Sequence, residues 1–124
     1  MIKTLGLVMG GLFLFGGILG FVPGVVRNGL YLGIFMVNTP HAVMHIASGV
    51  IFIVASVIGA RVARWWFRVF GAIYAVLAII GINAGDGLIC GAISNNWNDA
   101  VGHAGLALAM LLVGFAPLKR LAIA

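Results

Sequence analysis

Along the chain, apolar and polar positions sort into four long apolar runs separated by short polar clusters. Crossing the hydrocarbon core of a bilayer takes about 20 mostly apolar residues. Four segments reach that length, roughly residues 5–22, 41–60, 66–82 and 98–117. In lipid only helices and closed barrels satisfy their own backbone. Barrel strands alternate apolar and polar residues with a period of two, and these runs do not. The pattern predicts an all-α membrane protein: four transmembrane helices in an up-down bundle, one domain over residues 1–124. The two longer loops, 23–40 and 83–97, are too short for domains of their own. Within the first, "NGLYLGIFMVN" is apolar enough to lie in the headgroup layer or to form a short re-entrant piece. In the second, "GDG" at Gly85–Gly87 marks a turn. It lacks the further acidic positions of a calcium loop.

Composition strengthens this reading. Hydrophobic residues make up 64 % of the chain and charged residues 7 %, with mean hydropathy +1.25. A soluble domain carries about 25 % charged residues, enough to cover a water-facing surface. In a soluble protein, a net charge of +5 and pI near 10.4 would suggest nucleic acid. Here the basic residues sit at the ends of apolar runs, so they read as topology and headgroup signals, and no nucleic-acid partner is expected. Lys3, Arg61, Arg64, Arg68, Lys119 and Arg120 fall on one side of the four spans, leaving only Arg27 opposite. Cytoplasmic flanks carry the positive excess, so both termini are expected inside and both acids, Asp86 and Asp99, outside. Trp65 and Trp66 at the inner boundary and Trp97 at the outer fit interfacial anchors. Arg61, Arg64 and Arg68 share one helical face between spans two and three, where lipid phosphate is the expected contact. The first span follows a lysine, as in a signal peptide, but has no small-residue cleavage site, and is read as retained. Cys90 is the single cysteine, which excludes an intrachain disulfide and a Cys/His zinc motif.

Glycines crowd the first span, with Gly6/Gly10 and Gly16/Gly20 at G-x-x-x-G spacing. Small residues let helices approach closely in lipid. Packing within the chain is the first expectation and a homo-oligomer the second.

The chemistry concentrates in two short stretches. "HAVMHIASG" and "DAVGHAGLA" align, with His41 on Asp99 and His45 on His103, a constant offset of 58 (99 − 41 and 103 − 45). Asn38 aligns with Asn96 upstream. The alignment predicts two copies of a helical hairpin related by an axis along the membrane normal. His45 and His103 would then lie at matching depth below the outer interface, with His41 and Asp99 one turn closer to water. A structural role accounts for these groups well. Thr39 before Pro40 resembles an N-cap with proline at the first helical position, and Asn96 with Asp99 resembles a capping pair. The histidines would then hydrogen-bond across the bundle.

"FMVNTPHAVMHIASG" also resembles the signature of a bacterial four-helix membrane family described only as a domain of unknown function. Members carry F-x-V-N-x-x-H-x-x-x-H-x-x-x-G where span two opens, and an Asn-rich, Trp-containing opening to span four followed by histidine. "NNWNDAVGHAG" resembles that second element, departing from it at Asp99 and Gly102, and "GFVPG" at Gly20–Gly24 matches the end of span one. The resemblance implies the fold and a bacterial inner-membrane location, and no activity.

The leading functional expectation is a small non-catalytic membrane protein, an accessory or assembly subunit of a larger complex or a membrane-stress protein. The chain shows no nucleophile–base pair, phosphate loop or carboxylate dyad. The alternative is a cofactor or metal binder. His45 and His103 suit axial ligands of a haem, and either suits a chlorophyll-type pigment. His41, His45, Asp99 and His103 together suit zinc, copper or iron. A proton relay through Asp99 and His103 is disfavoured, since Ser48, Ser56, Tyr74 and Asn83 are too scattered to continue it.

Overall fold

The structure is a computed structural model and describes residues 1–117. Lys119 and Arg120, counted above toward orientation, lie outside the described residues. Four helices dominate: α1 (Ile2–Leu19), α2 (Thr39–Ile58), α3 (Ala60–Ala84) and α4 (Trp97–Phe115). All four are long and apolar enough to cross a membrane. Leu12, Phe15, Val57, Ile79, Leu108 and Leu112 point outward and are largely exposed, as a lipid-facing surface requires.

The helices pair as two hairpins, α1 with α2 and α3 with α4. Lipid tails are as apolar as leucine, so burial gives helices little reason to associate in a membrane; close packing must do it. In the first hairpin, glycines bring backbone against backbone. A Cβ added at Gly10 would lie 2.8 Å from the Gly49 carbonyl, and one at Gly49 would lie 2.6 Å from the Leu14 nitrogen. Gly6 and Gly17 lie on the same seam, against Ser56 and Ala42. Gly16 faces open space, so the Gly16/Gly20 pair is not an equivalent seam. In the second hairpin the nearest atoms are side chains, Leu111 at Gly71 and the Arg68 stem at Gly114, with the backbone nitrogens of the same two residues at 3.1 and 3.0 Å. Between the hairpins lies an aromatic core that includes Phe13, Phe52, Phe67, Phe70 and Tyr74, with Met110. Tyr74 is fully buried and its hydroxyl is 3.0 Å from Ser48 Oγ, which also donates to the Met44 carbonyl at 2.8 Å.

The connection between α2 and α3 is one residue, Gly59. Arg61, Arg64 and Arg68 therefore lie within α3 and not in a loop, and two of them do not await lipid phosphate. Arg64 donates to the carbonyls of Gly114 (2.9 Å) and Ala116 (2.7 Å), and Arg68 donates to Gly114 (2.7 Å). The last four carbonyls of a helix have no partner of their own and carry partial negative charge. Two guanidinium groups at the end of α4 meet that demand, while Arg61 stays exposed.

The longer loops depart from the all-helical expectation. Residues after α1 form an antiparallel sheet of β1 (Val26–Arg27), β2 (Leu30–Tyr31) and β3 (Phe35–Met36). Residues after α3 form a two-stranded sheet of β4 (Gly87–Ile89) and β5 (Ile93–Asn95). "NGLYLGIFMVN" is thus a sheet and not a re-entrant piece. Asn28–Gly29, the two-residue turn between β1 and β2, has positive φ at both positions, and the three-residue loop between β2 and β3 has it at Leu32 and Gly33. Strands this short cannot show a period of two. The two hairpin turns correspond closely. Leu30 pairs Met36 and Tyr31 pairs Phe35; Leu88 pairs Ser94 and Ile89 pairs Ile93. Positive φ falls on Leu32 and Gly33 (54° and 73°) and again on Cys90 and Gly91 (51° and 70°).

Candidate functional site

The first turns of α2 and α4 bring the polar residues together. Asn38, not Thr39, is the N-cap of α2: its Oδ1 accepts from the His41 backbone N–H at 3.0 Å. Thr39 is already helical, and Pro40 sits where a missing N–H costs nothing. In α4, Asn96 and Asp99 form the expected reciprocal capping box. Asp99 N–H donates to Asn96 Oδ1 (2.9 Å) and Asn96 N–H donates to Asp99 Oδ2 (3.0 Å).

Each cap also reaches the other hairpin's sheet. Asn38 Nδ2 donates to the Ala92 carbonyl (2.8 Å), and Asn96 Nδ2 donates to the Ile34 carbonyl (2.9 Å). The Ser94 N–H donates to Asn38 Oδ1 (3.2 Å), and the Met36 N–H donates to Asp99 Oδ2 (3.0 Å). The exchange is reciprocal. It fixes the rotation of α2 against α4, and hence where their next turns point.

They point at each other. The rings of His41, His45 and His103 pack as a triangle, with centroids 5.0, 5.3 and 5.8 Å apart. One nitrogen from each lies within 4.8 Å of the others. His41 and His103 are buried and His45 is half-buried. His41 Nδ1 is 3.4 Å from Ser94 Oγ, which leaves Nε2 free on the other edge of the ring. His103 Nδ1 is buried with no hydrogen-bond partner. Phe13 (5.3 Å) and Tyr74 (6.0 Å) support the His45 ring, and Tyr74 also meets His103 edge-on at 5.4 Å. Asp99 stands apart: it is buried, but its Oδ2 serves two backbone donors, and it is not among the converging nitrogens. Of the four residues expected to share a site, three converge and the fourth holds the frame.

The triangle forms one wall of a cavity of about 320 Å³. α1 contributes Met9, Leu12, Phe13, Gly16 and Gly17 to it, α4 contributes Gly102 and Leu106, and the first sheet covers it with Tyr31, Phe35 and Met36. Sequence reasoning did not foresee this cover, or the parts of Ser94 and Tyr74. The signal for Tyr74 was present: a lone polar-tipped aromatic inside an apolar span demands a partner. Nothing in the sequence pairs Ser94 with His41, because the sheet creates that contact. From the site toward the Gly59 turn, Ser56 Oγ is buried without a partner; Asn83 lies at the opposite end of α3, toward the sheets, and bonds the Ile79 carbonyl of its own helix.

Residues 3–116 match the family described as a domain of unknown function, DUF4383. The chain belongs to this family. The four apolar helices and the family agree with the expectation drawn from the signature stretches. No curated protein matches the chain, and no solved structure does. What the site does must therefore be argued from its own chemistry.

Proposed function

We propose that this is a small non-catalytic integral membrane protein that holds a transition-metal ion on His41, His45 and His103. The convergence of three imidazole nitrogens within 4.8 Å carries the reading. Imidazole suits zinc, copper and iron, and zinc–nitrogen bonds are about 2.0–2.1 Å. An ion would draw the nitrogens to roughly 3.4 Å from one another, a small side-chain adjustment for rings already in contact. The buried, partnerless Nδ1 of His103 supports it, because an orphaned polar atom needs a reason. Ser94 beside His41 Nδ1 fits the usual outer partner of a ligating imidazole. The geometry favours a bare ion over a haem. His41 lies 5.0 and 5.3 Å from His45 and His103, in the space a macrocycle between those two would take.

The hairpins are read as two copies of one unit, supported by the matched strand registers and the reciprocal Asn38 and Asn96 bonds. Both termini are placed in the cytoplasm of a bacterial cell, with the histidines beneath the outer face of its inner membrane. Lys3, Arg61, Arg64 and Arg68 support that orientation. Labelling of Cys90, exposed on its turn, tests it from outside intact cells. A chain that is nearly all span would serve as the metal-holding accessory subunit of a larger membrane complex. Gentle solubilisation that yields only a lone small particle overturns the subunit role.

The metal reading is tested by titrating Co²⁺ into chelator-treated protein and following its visible bands. One ion per chain is expected, displaced by Zn²⁺. Binding no better than that of the His41→Ala/His45→Ala/His103→Ala variant overturns it.

A further inference from the structure

The two sides on which the hairpins meet are not alike. α2 and α3, joined through Gly59, pack against each other, whereas α1 and α4 scarcely touch. The cavity lies in that second gap, since both helices line it. Its α1 lip carries Leu12, which is 64 % exposed on the lipid-facing surface, and Gly16, beside which an added Cβ would meet nothing within 4 Å. Its α4 lip carries Gly102, where an added Cβ would meet only Phe35, at 3.7 Å. The chamber therefore opens sideways between α1 and α4, on the surface where Leu12 is exposed.

The lining defines the ligand. Phe13, Tyr31 and Phe35 offer aromatic faces, the rings of His41, His45 and His103 stand at one end, and no lysine or arginine lines the cavity. A phosphate or carboxylate head would find no countercharge and would meet the Asp99 carboxyl group. His103 is 3 % exposed and its unpartnered Nδ1 calls for a hydrogen-bonding neighbour. A cavity of about 320 Å³ falls at the small end of ligand pockets, suited to a single ring with its tail left outside.

We propose that the chamber between α1 and α4 binds the uncharged ring of a quinone or quinol, with an oxygen on the imidazole wall and the apolar tail leaving past Gly16 and Gly102 into lipid. This deepens the reading of the imidazole cluster given above, and it does not require the ion.

The test uses the full chain in phosphatidylcholine nanodiscs, metal-free and Co²⁺-loaded, with decylbenzoquinone as probe. Partition is compared with that into empty discs. Saturable binding at one per chain is expected, weakened by about tenfold or more in Gly16→Leu/Gly102→Leu. A Cβ has room at both positions and neither residue supplies an imidazole, so melting and Co²⁺ titration should be unchanged. His103→Leu provides a second variant of similar bulk, with a loss of about the same size expected. No excess over empty discs overturns the proposal, as does full binding by both variants. Equal binding of decyl phosphate or decanol overturns the ligand class. Quinone binding without Co²⁺ binding would sink the metal reading alone, and Co²⁺ binding without quinone binding would sink this one alone.

Discussion

The two hairpins use the same layout with different contacts. In the first, α1 and α2 approach until glycine backbones touch, at Gly10 and Gly49; in the second, Gly71 and Gly114 meet the side chains of Leu111 and Arg68 first, with the backbone of those residues just behind. At corresponding places, three residues after each N-cap, His41 occupies the first hairpin and Asp99 the second. Asp99 turns back to two backbone N–H groups, while His41 has only Ser94 at 3.4 Å and presents its ring to the other histidines. The difference teaches how two hairpins with similar caps make an unequal site. Both halves need something at this position to tie a helix start to the opposite sheet. Only one of the two is left over for a ligand.

The largest effect expected from this comparison lies in the glycine seams. Gly49→Ala forces a Cβ onto Leu14 and Gly10 backbone atoms that cannot rotate away, and should cost about 3 kcal/mol. Gly71→Ala pushes first on the Leu111 side chain at 2.7 Å, with the Leu111 backbone nitrogen further off at 3.1 Å, and should cost about 1.5 kcal/mol. Unfolding in mixed micelles measures both, and equal losses would erase the distinction between the seams. Next come the ligands. His45→Ala and His103→Ala should each weaken Co²⁺ binding more than about a hundredfold. If one binds like the parent protein, the two histidines are not equivalent. Asn38→Ala removes a cap and two bonds to the opposite sheet and should cost about 2 kcal/mol, and Asn96→Ala removes a cap and one such bond and should cost about 1.5 kcal/mol. A gap between them of more than about 1 kcal/mol would break the reciprocity. The smallest effect sharpens the seam itself. Gly11→Ala, next to Gly10 but facing open space, should leave stability within about 1 kcal/mol of the parent.

Much of this molecule was legible in one dimension because lipid is an exacting solvent. A chain so poor in charge has to keep its backbone bonds internal, so run length alone predicts the helices. Asn96 and Asp99 read correctly as a capping pair because a cap depends on spacing within one segment. The same logic misplaced the first cap by one residue, since Asn38 and Thr39 both carry capping side chains and only the path of the chain chooses between them. Arg64 and Arg68 were misread for a different reason. Their partners, the carbonyls of Gly114 and Ala116, lie some fifty positions away, with sequence separations of 50, 52 and 46.

By itself the sequence determined four apolar helices, their hairpin order, and the placing of three histidines and an aspartate at two helix starts. Periodicity and capping are local, and each acts within a few residues of its cause. The tertiary structure alone decided that three imidazoles meet while Asp99 turns aside, that sheets cover them, and that α1 and α4 part to leave a chamber. Those outcomes depend on how close two helices stand and how each is turned about its axis. Glycine contacts and hydrogen bonds between distant segments set both.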